Sequence, residues 1–451
     1  MVLRPGAVTT LLAAAARFVQ TRFPAGSRER LVVAASAAQL GVAGVSALLA
    51  VVAQLVIARM IGADEFGRYA YVLSWVNVIA LAGALGFDTA SLRFVAEYRT
   101  LGQWARLRGY LLTTVALSAA VASLLAIIGA ALQWRNSQFA DASRSVIVGG
   151  AVLLPTLVLL KVTGSHLQAM QRALASAASQ GIVRPLALFV VLGVLLQLRA
   201  TSIGAGTVMI ANLVATAMAL VLCVVLTRTS LSHVTAAAKP EYRTREWITT
   251  AAPLLAITVS QGLLLSADVL MIGAYRGTTE AGLYSVAAQL VTVITLAINA
   301  ANAIVAPLLA ELYAKRDLQG MRDVLRISAR SVLAYAIPVL LVLIVFGERL
   351  LALYGAEFRD SWLPMMILAV GQISIVAFGS VGFLLTMSGN ERVASRAIVA
   401  SAVLNVVLNA VFIPLWGVVG AAVATGVSTF ARSAILTVAS RRLLGITATA
   451  L

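Results

Sequence analysis

Apolar residues in this chain gather into long runs, each closed by a short polar phrase. Runs with almost no charge lie at 35–58, 69–90, 109–132, 145–167, 175–197 and 204–227. A second set follows at 248–273, 283–308, 330–352, 363–386, 394–415 and 417–439. About 20 such residues rise about 30 Å as a helix, the thickness of a bilayer's hydrocarbon core. The pattern therefore predicts twelve membrane-crossing helices. The longest break among the first seven is the polar stretch "TRTSLSHVTAAAKPEYRTREW", residues 227–247. It divides the chain into a basic cytoplasmic segment over 1–34, a first lobe over 35–227, a cytoplasmic linker over 228–247, a second lobe over 248–439 and a cytoplasmic tail over 440–451.

The polar phrases carry a repeat. "IGADEFGRYA" at 61–70 returns as "RGTTEAGLYS" at 276–285. Gly62 aligns with Gly277, Glu65 with Glu280, Gly67 with Gly282 and Tyr69 with Tyr284, and the match continues through Val78-Ile79 with Val293-Ile294 to Tyr98 with Tyr313. Six crossings is an even number, so both halves enter from the same face. They are expected as parallel repeats about an axis along the membrane normal, with a central cavity between them. The phrase itself reads as a hairpin: glycine for a tight turn, Asp64 or Thr279 to cap the next helix, and a tyrosine at the membrane interface.

Composition fits this architecture. Hydrophobic residues make up 61% of the chain and charged residues 11%, where a soluble protein carries about 25% charged residues. Mean hydropathy is +0.96. The net charge of +17 does not point to nucleic acid, because the basic residues sit between the apolar runs. Of 34 Lys and Arg, nearly all Arg, only Arg59, Arg68, Arg135, Arg144, Arg199, Arg276, Arg349 and Arg359 fall on one side. The other side holds the rest, which places it and both termini in the cytoplasm. The N-terminal "MVLRPGAVTTLLAAAARFVQTRF" resembles a signal peptide only loosely, and reads better as a basic amphipathic segment on the membrane surface.

Few residues offer chemistry. Cys223 is the single cysteine, and His166 and His233 are the only histidines, so neither a disulfide within the chain nor a metal site is expected. There is no phosphate-binding glycine loop ending in Lys-Ser or Lys-Thr, no His-Glu helix motif and no Gly-x-Ser-x-Gly. Neither catalysis nor a cofactor is expected. Ionisable groups inside a membrane helix cost about 2.5–3.5 kcal/mol each, and they usually face a cavity or a partner.

Asp268 lies roughly 8 Å from the outer edge of the seventh run, with Gln261 on the same helical face. The aligned residue in the first half is Ala53. The pair is a candidate cation or proton site, and a buried hydrogen bond or ion pair is the other reading. Arg184, ahead of Pro185, sits deep in the fifth run. With Lys161, Arg432 and Arg93 it is a candidate for binding a phosphate or pyrophosphate headgroup, although Arg93, Lys161 and Arg432 each read better as interfacial anchors, which leaves Arg184 the leading ligand contact. Asn77, Asn299, Asn302 and Asn405 are candidates to line the path, and helix–helix hydrogen bonding is their commoner use.

Four segments together resemble a known family. They are "ARMIGADEFGRYAYVLSW", "GFDTASLRFVAEY", "GAYRGTTEAGLYSVAAQL" after the Asp-bearing run, and "LNVVLNAVFIPLWGVVGAAVATGVS". Their order and spacing are similar to the polysaccharide-transporter branch, the Wzx-type flippases, of the multidrug/oligosaccharidyl-lipid/polysaccharide exporter superfamily. The resemblance runs from about residue 35 to 440. It implies an all-α polytopic protein that moves an undecaprenyl-diphosphate-linked oligosaccharide across a bacterial inner membrane by alternating access. H+ or Na+ coupling is part of that expectation. The implied partners are membrane lipids, the polysaccharide polymerase and glycosyltransferases. Asp268 matches an acidic family position in the seventh crossing, and Arg93 a basic one closing the second. A cation-coupled drug or metabolite antiporter of the same superfamily is the alternative, and a basic intramembrane excess counts against it. A membrane glycosyltransferase or polymerase would need a large outer loop, and the outer loops are short.

Overall fold

A computed structural model describes residues 28–134, 144–197, 203–231 and 238–446. Most of the basic N-terminal segment, His233 in the linker and the last five residues lie outside the described residues. All regular structure among the described residues is helical. The first half consists of α1 (Arg28–Gly83), α2 (Phe87–Thr100), α3 (Trp104–Trp134), α4 (Arg144–Ala169), α5 (Ala173–Ala178), α6 (Arg184–Gln197) and α7 (Ala205–Ser230). The second half has α8 (Thr244–Arg276), α9 (Thr278–Ala314), α10 (Leu318–Ala352), α11 (Trp362–Phe378), α12 (Val381–Met387) and α13 (Glu391–Leu444).

Among the described residues nine helices are long and apolar enough to cross a membrane, or ten with bent α8 taken as one crossing. Two of these are too long to cross once. Helix α1 has 56 residues, about 84 Å if straight, and α13 has 54. Each contains one non-helical glycine, Gly62 at φ 76° and Gly417 at φ 57°. A side chain is strained at such angles, so the chain turns back there. Counting both as hairpins is compatible with the twelve expected crossings. The second crossing is also longer than its apolar run, continuing through a break at 84–86 into α2.

Polarity is inverted relative to a protein in water. Large apolar side chains such as Leu265 (85% exposed) and Val190 (64%) cover the outside, where lipid accepts them. The interior holds small and polar residues, including Asn409, Thr216, Ser118 and Ser440, all fully buried.

The turns at Gly62, Gly277, Gly355 and Gly417 share one face of the bundle, here the hairpin face. The interhelical linker marks the opposite, linker face. On the hairpin face the two halves meet along α1 and α9. Thr279 donates to Asp64 at 2.8 Å, across a separation of 215 residues. That separation is the repeat offset itself, so Asp64 and Thr279 are aligned positions meeting each other. Gly67 and Gly282, also aligned, touch backbone to backbone: a Cβ on Gly282 would lie 2.6 Å from the Gly67 Cα. The repeat axis therefore passes through this seam. Glu357 accepts from the Ala63 backbone N–H at 3.3 Å, and Phe66 meets Phe358 edge-on at 5.8 Å.

On the linker face, the start of α8 is bolted to the first half. Trp247 is fully buried among Phe87, Tyr98 and Tyr110. Its Nε1 donates to the Tyr98 hydroxyl at 2.9 Å, and its ring stands 5.3 Å from that of Tyr110. Before it, Glu241 bridges Arg106 at 3.1 Å and Arg243 at 3.0 Å. The hydrogen bond from Arg243, with Arg106 opposite, holds the Glu241 carboxyl below its usual range. Trp247→Ala should lower stability by about 3–5 kcal/mol through the cavity it leaves. Trp247→Phe, which mainly removes the hydrogen bond, should cost about 1 kcal/mol. Unfolding of both variants in detergent, followed by fluorescence or calorimetry, measures the difference.

Candidate functional site

Two buried polar clusters stand out, one in each half, and each is anchored by a tyrosine of the repeated phrase. Tyr69 and Tyr284 do not present their rings to the outside of the bundle, as an interfacial tyrosine would, but bury them in the protein. They are 4% and 2% exposed. The hydroxyl of each needs a partner once it leaves water, and each finds it inside its own half.

In the second half, Tyr284 donates to Asp268 Oδ2 at 2.5 Å. Thr425 donates to the same oxygen at 2.6 Å, and Asn409 Nδ2 donates to Oδ1 at 2.6 Å. A second layer holds these donors: Asn405 Nδ2 donates to Thr425 at 2.9 Å, and Asn405 Oδ1 accepts from Asn409 at 3.1 Å. These three donors leave neither carboxylate oxygen without a partner inside the bundle. Asn409 is fully buried, and its Oδ1 has no hydrogen-bond partner, an acceptor left open beside the carboxylate. Asp268 follows the 55° bend of α8 between Leu263 and Leu265. Gln261 lies before that bend and is exposed, so it does not join the cluster.

In the first half, Arg184 Nη2 donates to Asn212 Oδ1 at 2.9 Å, and Asn212 Nδ2 donates to the Tyr69 hydroxyl at 2.9 Å. Thr216 donates to the Asn212 carbonyl at 2.7 Å. A π-helical turn, Ser179–Val183, immediately precedes Arg184. Pro185 cannot donate to the carbonyl four residues back and would crowd it in an α-helix. The wider turn removes that conflict and aims the arginine, as such turns often do at functional positions. Lys161 lies within electrostatic reach of both Arg184 and Asp88. Among the described residues no carboxylate pairs directly with Arg184.

Lys161 is thus the basic candidate within electrostatic reach of Arg184, and the other two lie on α2 and α13. Arg93 lies on the surface of α2, 70% exposed, loosely paired with Glu97 at 3.7 Å. Arg432 is half-buried in α13, in the second half. Of the amides, Asn77 and Asn299 are exposed, and Asn302 is half-buried with an unpartnered Oδ1. Asn405 is 2% exposed and serves the Asp268 cluster rather than a path wall. Sequence reasoning counted Asn212 only among the amides that could line the path, and assigned neither Thr425 nor either tyrosine to a site. For the tyrosines the signal was available in their exact repetition. For Asn212 and Thr425 only contacts between distant helices reveal the role.

Known proteins share both sequence and fold with the chain. The chain is 29% identical over 162 residues to the probable low-salt glycan biosynthesis flippase Agl15 of Haloferax volcanii, covering 36% of this chain and 34% of that protein. The aligned part is thus about a third of the curated relative. Among solved structures, the lipid II flippase MurJ in an inward closed conformation superposes with a TM-score of 0.69 at 11% identity, covering 89% of this chain and 86% of that one. An inward-facing multidrug resistance MATE family transporter of the MOP superfamily gives 0.66 at 13% identity, over 87% and 97%. These likenesses establish the fold. Residues 33–313, well over half the chain, match the family described as "Polysaccharide biosynthesis protein". By that match and that fold, this multi-pass membrane protein belongs to the polysaccharide biosynthesis protein family.

Proposed function

We propose that the chain is a flippase. It moves an undecaprenyl-diphosphate-linked oligosaccharide from the inner to the outer leaflet of a bacterial cytoplasmic membrane by alternating access, the lobes 35–227 and 248–439 rocking so that the hairpin-face seam parts and closes as a gate. Both termini and the linker face are cytoplasmic in this reading, as the arginine bias requires. The observation that carries it is the pair Arg184 and Lys161, two cations inside a membrane bundle with no carboxylate on the arginine. Burying such charge is costly unless an anion visits it. A diphosphate linking sugar to lipid presents the oxyanions that arginine binds in bidentate fashion. Asp268 holds the coupling H+ or Na+ in the opposite half, where its charge does not cancel that of Arg184.

The test is leaflet accounting. In cells lacking the protein, lipid-linked oligosaccharide should accumulate on the cytoplasmic leaflet, and Arg184→Ala should reproduce that accumulation while the variant remains in the membrane at normal levels. Release of a cationic drug in place of that accumulation would sink the flippase reading in favour of an antiporter.

A further inference from the structure

The repeated phrase holds three aligned pairs that act in one place. Asp64 with Thr279 and Gly67 with Gly282 make the seam. The third pair, Tyr69 and Tyr284, does not touch the seam partner. Each lies two residues past its seam glycine, about 3 Å further along the helix and about 200° around it. The glycine therefore faces the other half, and the tyrosine faces its own. Each tyrosine hydroxyl then ends on its half's charged cluster, through Asn212 to Arg184 in one case and directly to Asp268 in the other.

We propose that Tyr69 and Tyr284 are positioning residues that couple Arg184 and Asp268 to the hairpin-face seam. This rests on the reading of the seam as a transport gate. A tyrosine held at both ends of a short rigid helix segment transmits a displacement of its hydroxyl partner to the glycine two residues away. An anion that draws Arg184 off Asn212 releases Tyr69. A cation that neutralises Asp268 loosens its bond from Tyr284. The helix from Ala63 carries the first change to Gly67, and the helix from Thr278 carries the second to Gly282. Seam packing leaves no space for a Cβ between the halves, so small displacements there decide between contact and separation. Each half thereby reports its own site to a shared gate, and the gate sits on the axis where both reports add.

The experiment uses a single reporter. Cys223→Ala removes the native thiol, and Ala63→Cys places one in the seam, where Ala63 is 3% exposed. Its labelling by a polar maleimide in proteoliposomes measures how often the seam parts. In that background Arg184→Gln and Asp268→Asn should each change the labelling rate by about fivefold or more. With Tyr69→Phe present, Arg184→Gln should have no further effect, and with Tyr284→Phe present, Asp268→Asn should have none. The crossed pairs, Arg184→Gln with Tyr284→Phe and Asp268→Asn with Tyr69→Phe, should be additive.

Additivity in the same-half pairs, or no change with either charge removed, overturns the coupling. Tyr→Phe keeps the ring and its packing, and each variant is compared at equal amounts of folded monomer by gel filtration. Failure of the flippase reading shows elsewhere, as a normal distribution of lipid-linked oligosaccharide in Arg184→Ala cells. The labelling result does not depend on the substrate's identity.

Discussion

Asp268→Asn is expected to abolish export of surface polysaccharide while the protein accumulates normally in the membrane, whereas Asp268→Ala should lose both export and stability. The difference follows from the donors around the carboxylate. Tyr284 and Thr425 are hydroxyls, and each can rotate to accept a hydrogen bond from an amide N–H. Asn409 donates through its amide and can turn over to present Oδ1, which is unpartnered now. An asparagine at 268 can therefore be satisfied, and it changes the charge without breaking the cluster. Alanine leaves three donors without an acceptor among packed helices, at about 1–3 kcal/mol for each orphan. Immunoblots of membranes, melting in detergent and a gel of surface polysaccharide separate the two outcomes. Normal polysaccharide in Asp268→Asn would remove Asp268 from the coupling role.

Much of the fold was legible because lipid imposes a simple rule. A crossing helix needs an unbroken apolar run, so the runs could be counted, and the hairpin glycines Gly62 and Gly277 could be placed from their spacing. The exceptions have physical causes. The second apolar run ends at residue 90, yet α2 stays helical to Thr100 because its aromatic face, Phe87, Phe94 and Tyr98, packs under Trp247. The sites were legible only in part. Asp268 and Arg184 announced themselves by their cost in the membrane, and that cost is local to one residue.

The partners did not announce themselves, because asparagine and threonine are cheap in a helix and common in such bundles. Asn212 reads the same as Asn77 in the sequence, but one lies within reach of Arg184 and the other on an exposed surface. Tyrosine misled for a related reason. An amphipathic ring near a predicted hairpin suits the interface equally well, and only the burial of Tyr69 and Tyr284 decides against it. Position along the span grouped Arg93 and Arg432 with Arg184, but it does not tell which helices are neighbours: Arg93 is exposed on α2 and Arg432 is half-buried in the second half.

Gly67→Leu and Gly282→Leu should each arrest transport, and should do so by the same route despite lying 215 residues apart in sequence. A Cβ on Gly67 would sit 2.2 Å from the Thr278 carbonyl oxygen, and one on Gly282 2.6 Å from the Gly67 Cα. Backbone cannot yield as a flexible side chain can, so either leucine must push the halves apart on the hairpin face. The wedge does not disturb the interior of either half, because both glycines face outward from their own half. Each variant should therefore accumulate and melt near the parent, yet label strongly at a seam thiol and export no polysaccharide.

Gly67→Ala, with a single methyl, should give an intermediate labelling rate, which a general folding defect would not. The contrast with Gly62→Ala sharpens the point. Gly62 has no neighbour within 4 Å of its Cβ position but sits at φ 76° and ψ 170°, so alanine there strains the turn by about 1–3 kcal/mol without wedging the seam. It should lower stability slightly and leave seam labelling unchanged. If Gly62→Ala opened the seam as widely as Gly67→Leu, hairpin strain rather than the glycine contact would be what holds this face shut.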